Sequence, residues 1–546
     1  MALAHDAGPT DVPLLYQTIG ENLAATVADY PDNEALVVPY QGIRLTYREF
    51  ALEVDRVARG LMAMGVQPGD RIGIWSPNNF EWVLVQYATA VMGAILVNIN
   101  PAYRTSELEY ALKQSGCRFL ISAPEFLSSN YRAMVAEVAP EVPSLERTLF
   151  LESGDWTDLL AAADTVTAEQ LEEVVIGLTP DDPINIQYTS GTTGFPKGAT
   201  LSHVNILNNG YFTGEMCRYT EADRVCVPVP FYHCFGMVLG NLACTSHGAT
   251  IVVPGARFLP DAVLETVSSE RCTSLYGVPT MFIAALEHPD VADYDLSTLR
   301  TGIMAGSPCP VEVMKQVICE FNMTEVTIAY GMTETSPVST QTAPDDDIER
   351  RVSSVGRIHP HVEVKIVDPE TGRTLERGES GELCTRGYSV MLGYWNDPER
   401  TAEAIDTDGW MHTGDLATMD TDGYVNIVGR IKDMIIRGGE NVYPREIEEF
   451  LYTHPEVVDA QVIGVPDVKF GEEIMAWVVR KSGSQLTSEE LTDYCRGKIA
   501  HFKVPRYLRF VDEFPMTVTG KVQKFRMREL AVEELGLHDA AGIESA

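Results

Sequence analysis

The chain is 546 residues long and carries 41 basic against 78 acidic residues, a net charge of -37. At roughly 100–200 residues per domain this length predicts two to four structural units, and 45% hydrophobic with 22% charged residues excludes disorder or coiled coil as the overall class. So acidic a chain is not expected to coat nucleic acid, because phosphate backbones require a positive surface.

The first twenty residues hold two Asp and no Lys or Arg, so no secretory signal is expected. No run reaches the roughly 18 apolar residues that suggest a membrane span. The ten cysteines are scattered without a CxxC pair, which predicts buried, reduced thiols in a cytoplasmic protein. Residues 44–66 carry Leu, Val and Met at three- and four-residue spacings and predict an amphipathic helix. Strands over 71–78, 95–100 and 118–122 then alternate with helices over 80–94 and 106–116, the pattern of a mostly parallel, helix-covered sheet. Strand-like 251–254, 274–278 and 326–330 continue it. From about residue 350 the texture changes to hairpins over 362–372, 381–387 and 422–429, with Asp-Gly and Thr-Gly pairs at turns. A compact end piece follows: helix 444–455, strands 458–467 and 473–481, helix 487–500, then a basic run. The fold class is therefore α/β, with a large domain over 1–430, a β-rich subdomain within it, and a small α+β domain over 431–546.

The segment Tyr188-Thr-Ser-Gly-Thr-Thr-Gly-Phe-Pro-Lys-Gly-Ala199 follows the strand-like INIQY. Gly191, Gly194 and Gly198 permit close backbone approach, so main-chain N–H groups can face phosphate oxygens. Thr189, Ser190, Thr192 and Thr193 add hydroxyl donors, and Lys197 adds a point charge. The spacing is not that of the GxxxxGK[ST] loop.

This string resembles the signature of the adenylate-forming superfamily, which includes acyl-CoA synthetases, peptide-synthetase adenylation domains and firefly luciferases. The resemblance runs from about residue 25 to 530, nearest to the fatty acyl-CoA synthetases of the medium-chain and mitochondrial "family member 2" type. It implies a small-molecule carboxylic acid, ATP, Mg²⁺ and coenzyme A as ligands. The loop would bind nucleotide, with Thr192 among the catalytic residues. Pro230-Phe-Tyr-His-Cys-Phe-Gly236 resembles the motif that places His233 beside the acyl carboxylate. Ala305-Gly-Ser307 and Tyr330-Gly-Met-Thr-Glu334 would put Ser307, Tyr330 and Gly331 near adenine, Thr333 near the α-phosphate and Glu334 on Mg²⁺. Thr413-Gly-Asp415 would put Asp415 on the ribose hydroxyls, with Arg430 reaching ribose or phosphate. Lys432 stands at the hinge, where many relatives have Asp. Gly438 and Gly439 belong to a loop that serves thioester formation, and Lys521 would contact the carboxylate and α-phosphate.

Residues 496–528 hold nine basic residues against Asp512 and Glu513. A polyanion such as ATP or coenzyme A would account for this stretch, and a salt-bridged face packing on the acidic large domain is the competing reading. Tyr276, Val278, Met281 and Met304 are candidate lining of the acyl space, with core packing as their commoner fate. Two other functions compete with an acid–CoA ligase for a medium-chain fatty acid: an acyl-AMP ligase loading a carrier protein, and a nucleotide-binding scaffold. An aromatic or branched acid is the alternative substrate. No long insertion falls between residues 337 and 413, which disfavours the carrier-protein reading.

Overall fold

The computed structural model describes residues 2–189, 196–307, 309–437, 440–496, 498–517 and 521–537, with the backbone alone for Glu440 and Asn441. Two large sheets dominate. A seven-stranded sheet runs in the order Gly393–Tyr394, Lys197–Ser202, Pro183–Thr189, Ile95–Asn98, Arg71–Trp75, Phe119–Ser122, Arg147–Phe150. Its last five strands are parallel and its first two antiparallel. A nine-stranded sheet has a parallel centre that includes Ser274–Gly277, Thr301–Ala305 and Glu325–Gly331.

The principal core lies between these sheets. Ile72, Ile74 and Leu96 of one and Leu36, Val225 and Ile251 of the other share a single buried cluster. The helix Phe80–Met92 fills that space and buries nearly every residue, as an element apolar all round must. Asn79 accepts the Trp82 N–H at 2.7 Å to start it, and Gly93, at φ +73°, ends it. The helix expected over 44–66 spans Tyr47–Ala63, because Ile43–Thr46 is a strand. Thr46 and Glu49 form a capping box there, and such a cap, worth about 1 kcal/mol, fixes the first turn.

A third sheet pairs His5–Ala7, Val362–Val367, Gly381–Gly387, Met411–Met419 and Val425–Arg430, all antiparallel. The fourth is built from Ile435–Val511 alone, with the strand Gly471–Arg480 at its centre, paired with Ile435–Arg437, Val457–Asp467 and Tyr507–Val511. Its two faces carry separate buried clusters. Between the third and fourth sheets the chain makes one turn, in which the Asp433 and Met434 N–H groups both donate to the Arg430 carbonyl. Lys432 is exposed in that turn. All ten cysteines are free and all but Cys319 are buried. Among the described residues no helix is long and apolar enough to cross a membrane.

Candidate active site

Parallel strands present their C-terminal ends along one edge, where open α/β sheets place ligands. Thr189 and Tyr330 stand at two such ends, and Ser307 follows a third. A Cβ on Gly331 would fall 1.7 Å from the Pro337 carbonyl oxygen, so no larger residue fits beside Tyr330. Ser190, Gly191, Thr192, Thr193 and Gly194 of the loop after Thr189, and Gly438 and Gly439, lie outside the described residues.

Asp415 is the hub of one side. Its Oδ2 accepts the Tyr330 hydroxyl at 2.7 Å and its Oδ1 accepts Arg430 Nε at 3.0 Å. The strand register sets Asp415 directly opposite Arg430. Burial and the Asp415 charge beside it push the Tyr330 phenol well above its ordinary range. The Asp415 charge also raises the Arg430 guanidinium, whose side chain remains mostly exposed at 62%.

Glu334 anchors the other side. It follows Thr333 in a short 3₁₀ turn, and both are buried. Glu334 Oε1 accepts the Tyr394 hydroxyl at 2.8 Å and faces the Thr189 hydroxyl at 3.3 Å. Lys197 lies over the Tyr394 ring, 4.7 Å from its centroid. Two hydroxyls orienting one oxygen of a buried, acceptor-only carboxylate suit a hard cation such as Mg²⁺, which takes oxygen ligands and needs few from protein. Tyr394 belongs to this site and is absent from the residues the sequence singles out. It sits in a two-residue strand, too short to carry any periodicity.

Lys521 closes the site from the C-terminal sheet's side of the molecule. Its N–H donates to Thr517 Oγ1 at 3.0 Å and its carbonyl accepts the Thr517 N–H at 2.7 Å, closing a tight hairpin. Its Cε lies 3.5 Å from where a Cβ on Gly306 would stand. Burial lowers the ammonium below the ordinary lysine range. The Arg430 charge lowers it further, while Cys234, Asp415 and Glu334 oppose the shift. His233 faces the same ammonium. Burial first and the Lys521 charge second push its imidazole down to about 3. Cys234 Sγ donates to Gln187 Oε1 at 3.0 Å, and burial pushes that thiol up to about 12, so it is no nucleophile. Immediately after them the chain forms a π-helix, Phe235–Leu242, a distortion frequent at functional sites. Phe235 stacks on Tyr276 at 5.6 Å. Tyr276, Val278 and Met281 share the core with it, whereas Met304 packs in the cluster on the opposite face of its sheet.

The basic stretch is corrected by the structure. Arg496, Lys503, Arg506, Arg509, Lys524, Arg526 and Arg528 pair with Asp493, Glu446, Asp467, Glu534, Glu448, Glu529 and Glu472. These acids belong to the C-terminal piece itself, not to the acidic body. Lys498 rests on the Tyr494 ring, so of the nine only Lys521 turns to the site. One compact group of potential metal-binding side chains occurs among the described residues: Glu382, Cys384 and His412, with ligand atoms within 4.8 Å of one another.

The profile of the AMP-binding enzyme family matches residues 23–395, and that of the AMP-binding enzyme C-terminal domain matches residues 446–521. YngI of Bacillus subtilis, named as an acyl-CoA synthetase, is 52% identical over 543 residues, covering 96% of this chain and 99% of its own. The mitochondrial medium-chain acyl-CoA ligase ACSF2 of Danio rerio is 47% identical, covering 97% and 91%. Among solved structures, ATP-bound MatB from Rhodopseudomonas palustris superposes with a TM-score of 0.84 at 32% identity, covering 95% and 99%.

Proposed function

As the chain belongs to the AMP-binding enzyme family, we propose that it is an AMP-forming acid–CoA ligase acting on a medium-chain fatty acid. The observation that carries this reading is the arrival of Lys521, from the far end of the chain, beside Gly306 at the strand end that leads to Ser307, where the charges of Arg430, Asp415 and Glu334 act on its ammonium. Full-length similarity to proteins named for acyl-CoA synthesis supports it.

In the first step the substrate carboxylate attacks the α-phosphate of ATP, giving an acyl-adenylate and pyrophosphate. Asp415 accepts the ribose hydroxyls and Tyr330 and Ser307 border adenine. Thr189, Lys197 and the loop between them take the phosphates, with Thr333 near the α-phosphate. Mg²⁺ held by Glu334 would supply positive charge across the phosphates. The Lys521 ammonium stands between carboxylate and phosphate, where negative charge accumulates as the groups meet. Removing one such group from a preorganised site typically costs about 10²–10³ in rate. His233, neutral because it is buried, borders the carboxylate without adding charge. In the second step the coenzyme A thiol displaces AMP. We assign residues 1–430 and 431–546 to two domains, turning at Lys432 so that the Gly438–Gly439 loop replaces Lys521 at the site. One pocket then serves both steps through a hinge motion. Ten unpaired thiols suit a reducing compartment, and we assign the enzyme to the cytoplasm.

The test is the initial rate of CoA-thioester formation across straight-chain acids from acetate to palmitate, with aromatic acids alongside. A maximum at medium chain length is expected. Thioester from aromatic acids alone, or adenylate that never passes to coenzyme A, would overturn the assignment.

A further inference from the structure

The strand Met411–Met419 does not run evenly past Gly381–Gly387. Cys384 pairs with His412 and Glu382 with Leu416, so Leu383 alone stands opposite Thr413, Gly414 and Asp415. Such a bulge re-aims a side chain at the cost of ladder hydrogen bonds. Gly414 sits at φ +70°, a left-handed conformation that favours glycine. Backbone groups stripped of ladder partners must be satisfied otherwise, and here side chains do it. The Asp415 N–H donates to Thr413 Oγ1 at 3.1 Å, and the Thr413 hydroxyl donates to the Leu383 carbonyl at 2.7 Å. The Gly414 N–H donates to Glu382 Oε1 at 3.0 Å. The Gly414 carbonyl accepts the Ile431 N–H at 3.0 Å.

Glu382 is itself held. Its Oε2 lies 2.9 Å from His412 Nδ1. The other ring nitrogen of His412 faces Asp406 Oδ2 at 3.9 Å, and Asp406 Oδ1 caps the following turn by accepting the Asp408 and Trp410 N–H groups at 2.9 Å each. A line of contacts thus runs from that turn through His412 and Glu382 to the backbone beside Asp415. The Cys384 thiol, 3.4 Å from His412 Nδ1, completes a trio compact enough for a metal ion. Both Glu382 oxygens are already engaged, however, and an ion there would have to take one from the bulge.

We propose that Glu382 and His412 are positioning residues for ribose recognition: they fix the bulge that aims Asp415 without touching the nucleotide. This rests on the reading of Asp415 as the ribose acceptor. The site motif alone does not contain it, since Glu382 lies 33 positions before Asp415 and on another strand.

Calorimetric titration of the full chain with ATP and with 2′,3′-dideoxy-ATP tests it. Wild type should bind ATP more tightly than the dideoxy nucleotide. Glu382→Ala should weaken ATP binding about tenfold, the loss of one part-buried hydrogen-bond acceptor, and leave dideoxy-ATP unchanged, because that ligand offers Asp415 nothing to hold. Glu382→Gln keeps an acceptor for the Gly414 N–H and should restore ATP affinity. Glu382→Asp, which withdraws the acceptor by one methylene without removing charge, should show the same selective loss if the alanine variant does not fold. In turnover the defect should appear in the KM for ATP, with kcat and the KM for the acid kept. Equal weakening of both nucleotides, or of neither, overturns the inference. A wild type that does not distinguish the two nucleotides would remove the Asp415 reading itself, and this inference with it.

Discussion

Asp415 and Lys521 bring charge to one site, yet they are held very differently. Asp415 is clasped from every side: Tyr330 and Arg430 take its carboxylate, Thr413 takes its N–H, and Glu382 and Ile431 hold the residue before it. Lys521 is fixed mainly within its own hairpin. Among the described residues, polar contacts join its piece of the chain to the body at two helix ends. Arg445 Nη1 donates to the Ile427 carbonyl at 2.7 Å, and the Val311 N–H reaches Glu449 Oε2 at 3.5 Å. The ion pairs of the basic stretch close on that piece itself. On the proposed mechanism, the group that holds nucleotide through both steps is built into the sheet, and the group needed for one step rides on the element proposed to leave, as mobile functional elements generally do.

Lys521→Ala is the widest break in the comparison. Adenylate formation from acid and ATP should fall at least 10²–10³-fold, roughly the effect of deleting a charge-stabilising donor, while supplied acyl-adenylate still reacts with coenzyme A. Equal loss in both half-reactions would dissolve the distinction. Asp415→Ala should differ in kind: ATP and AMP both bind more weakly, about 10–100-fold for loss of a charged acceptor, so both half-reactions suffer. An intact AMP affinity would contradict this.

The pH dependence sharpens the same contrast. Burial favours the neutral amine of Lys521, so its proton is lost at lower pH than from an ordinary lysine. The ammonium is the working form, and adenylation should therefore decline with rising pH before the ordinary lysine range is reached. Thioester formation from supplied adenylate should lack that decline. A shared alkaline limb in the two pH–rate profiles would argue against it. Smallest is Arg445→Met, which removes one polar contact between the C-terminal piece and the body. Adenylation should slow about fivefold, near 1 kcal/mol, with the thioester step unchanged or faster. Parallel slowing of both would mean that this contact does not bias the two arrangements.

Much of the fold was legible from local pattern. The strand over 381–387 carries its hairpin signature on its face, and the alternation from residue 71 to 122 appears as written. The helix start at Tyr47 was not legible: the apolar periodicity runs back to residue 44 and hides the capping box of Thr46 and Glu49. Tyr330, Asp415 and Arg430 were legible as separate motifs. Their mutual hydrogen bonds were not, because a side-chain contact across 85 residues, between strands of two different sheets, leaves no local trace. Tyr394 and Glu382 escaped for the same reason: each works through a partner distant in sequence. The basic stretch misled because charge along a sequence does not say which acids fold against it.

Acid-dependent exchange of labelled pyrophosphate into ATP, measured with coenzyme A omitted, tests the central claim most directly. The account predicts exchange that requires a fatty acid, proceeds without coenzyme A and is lost in Lys521→Ala. Exchange that needs coenzyme A, or that runs equally without any acid, would contradict it.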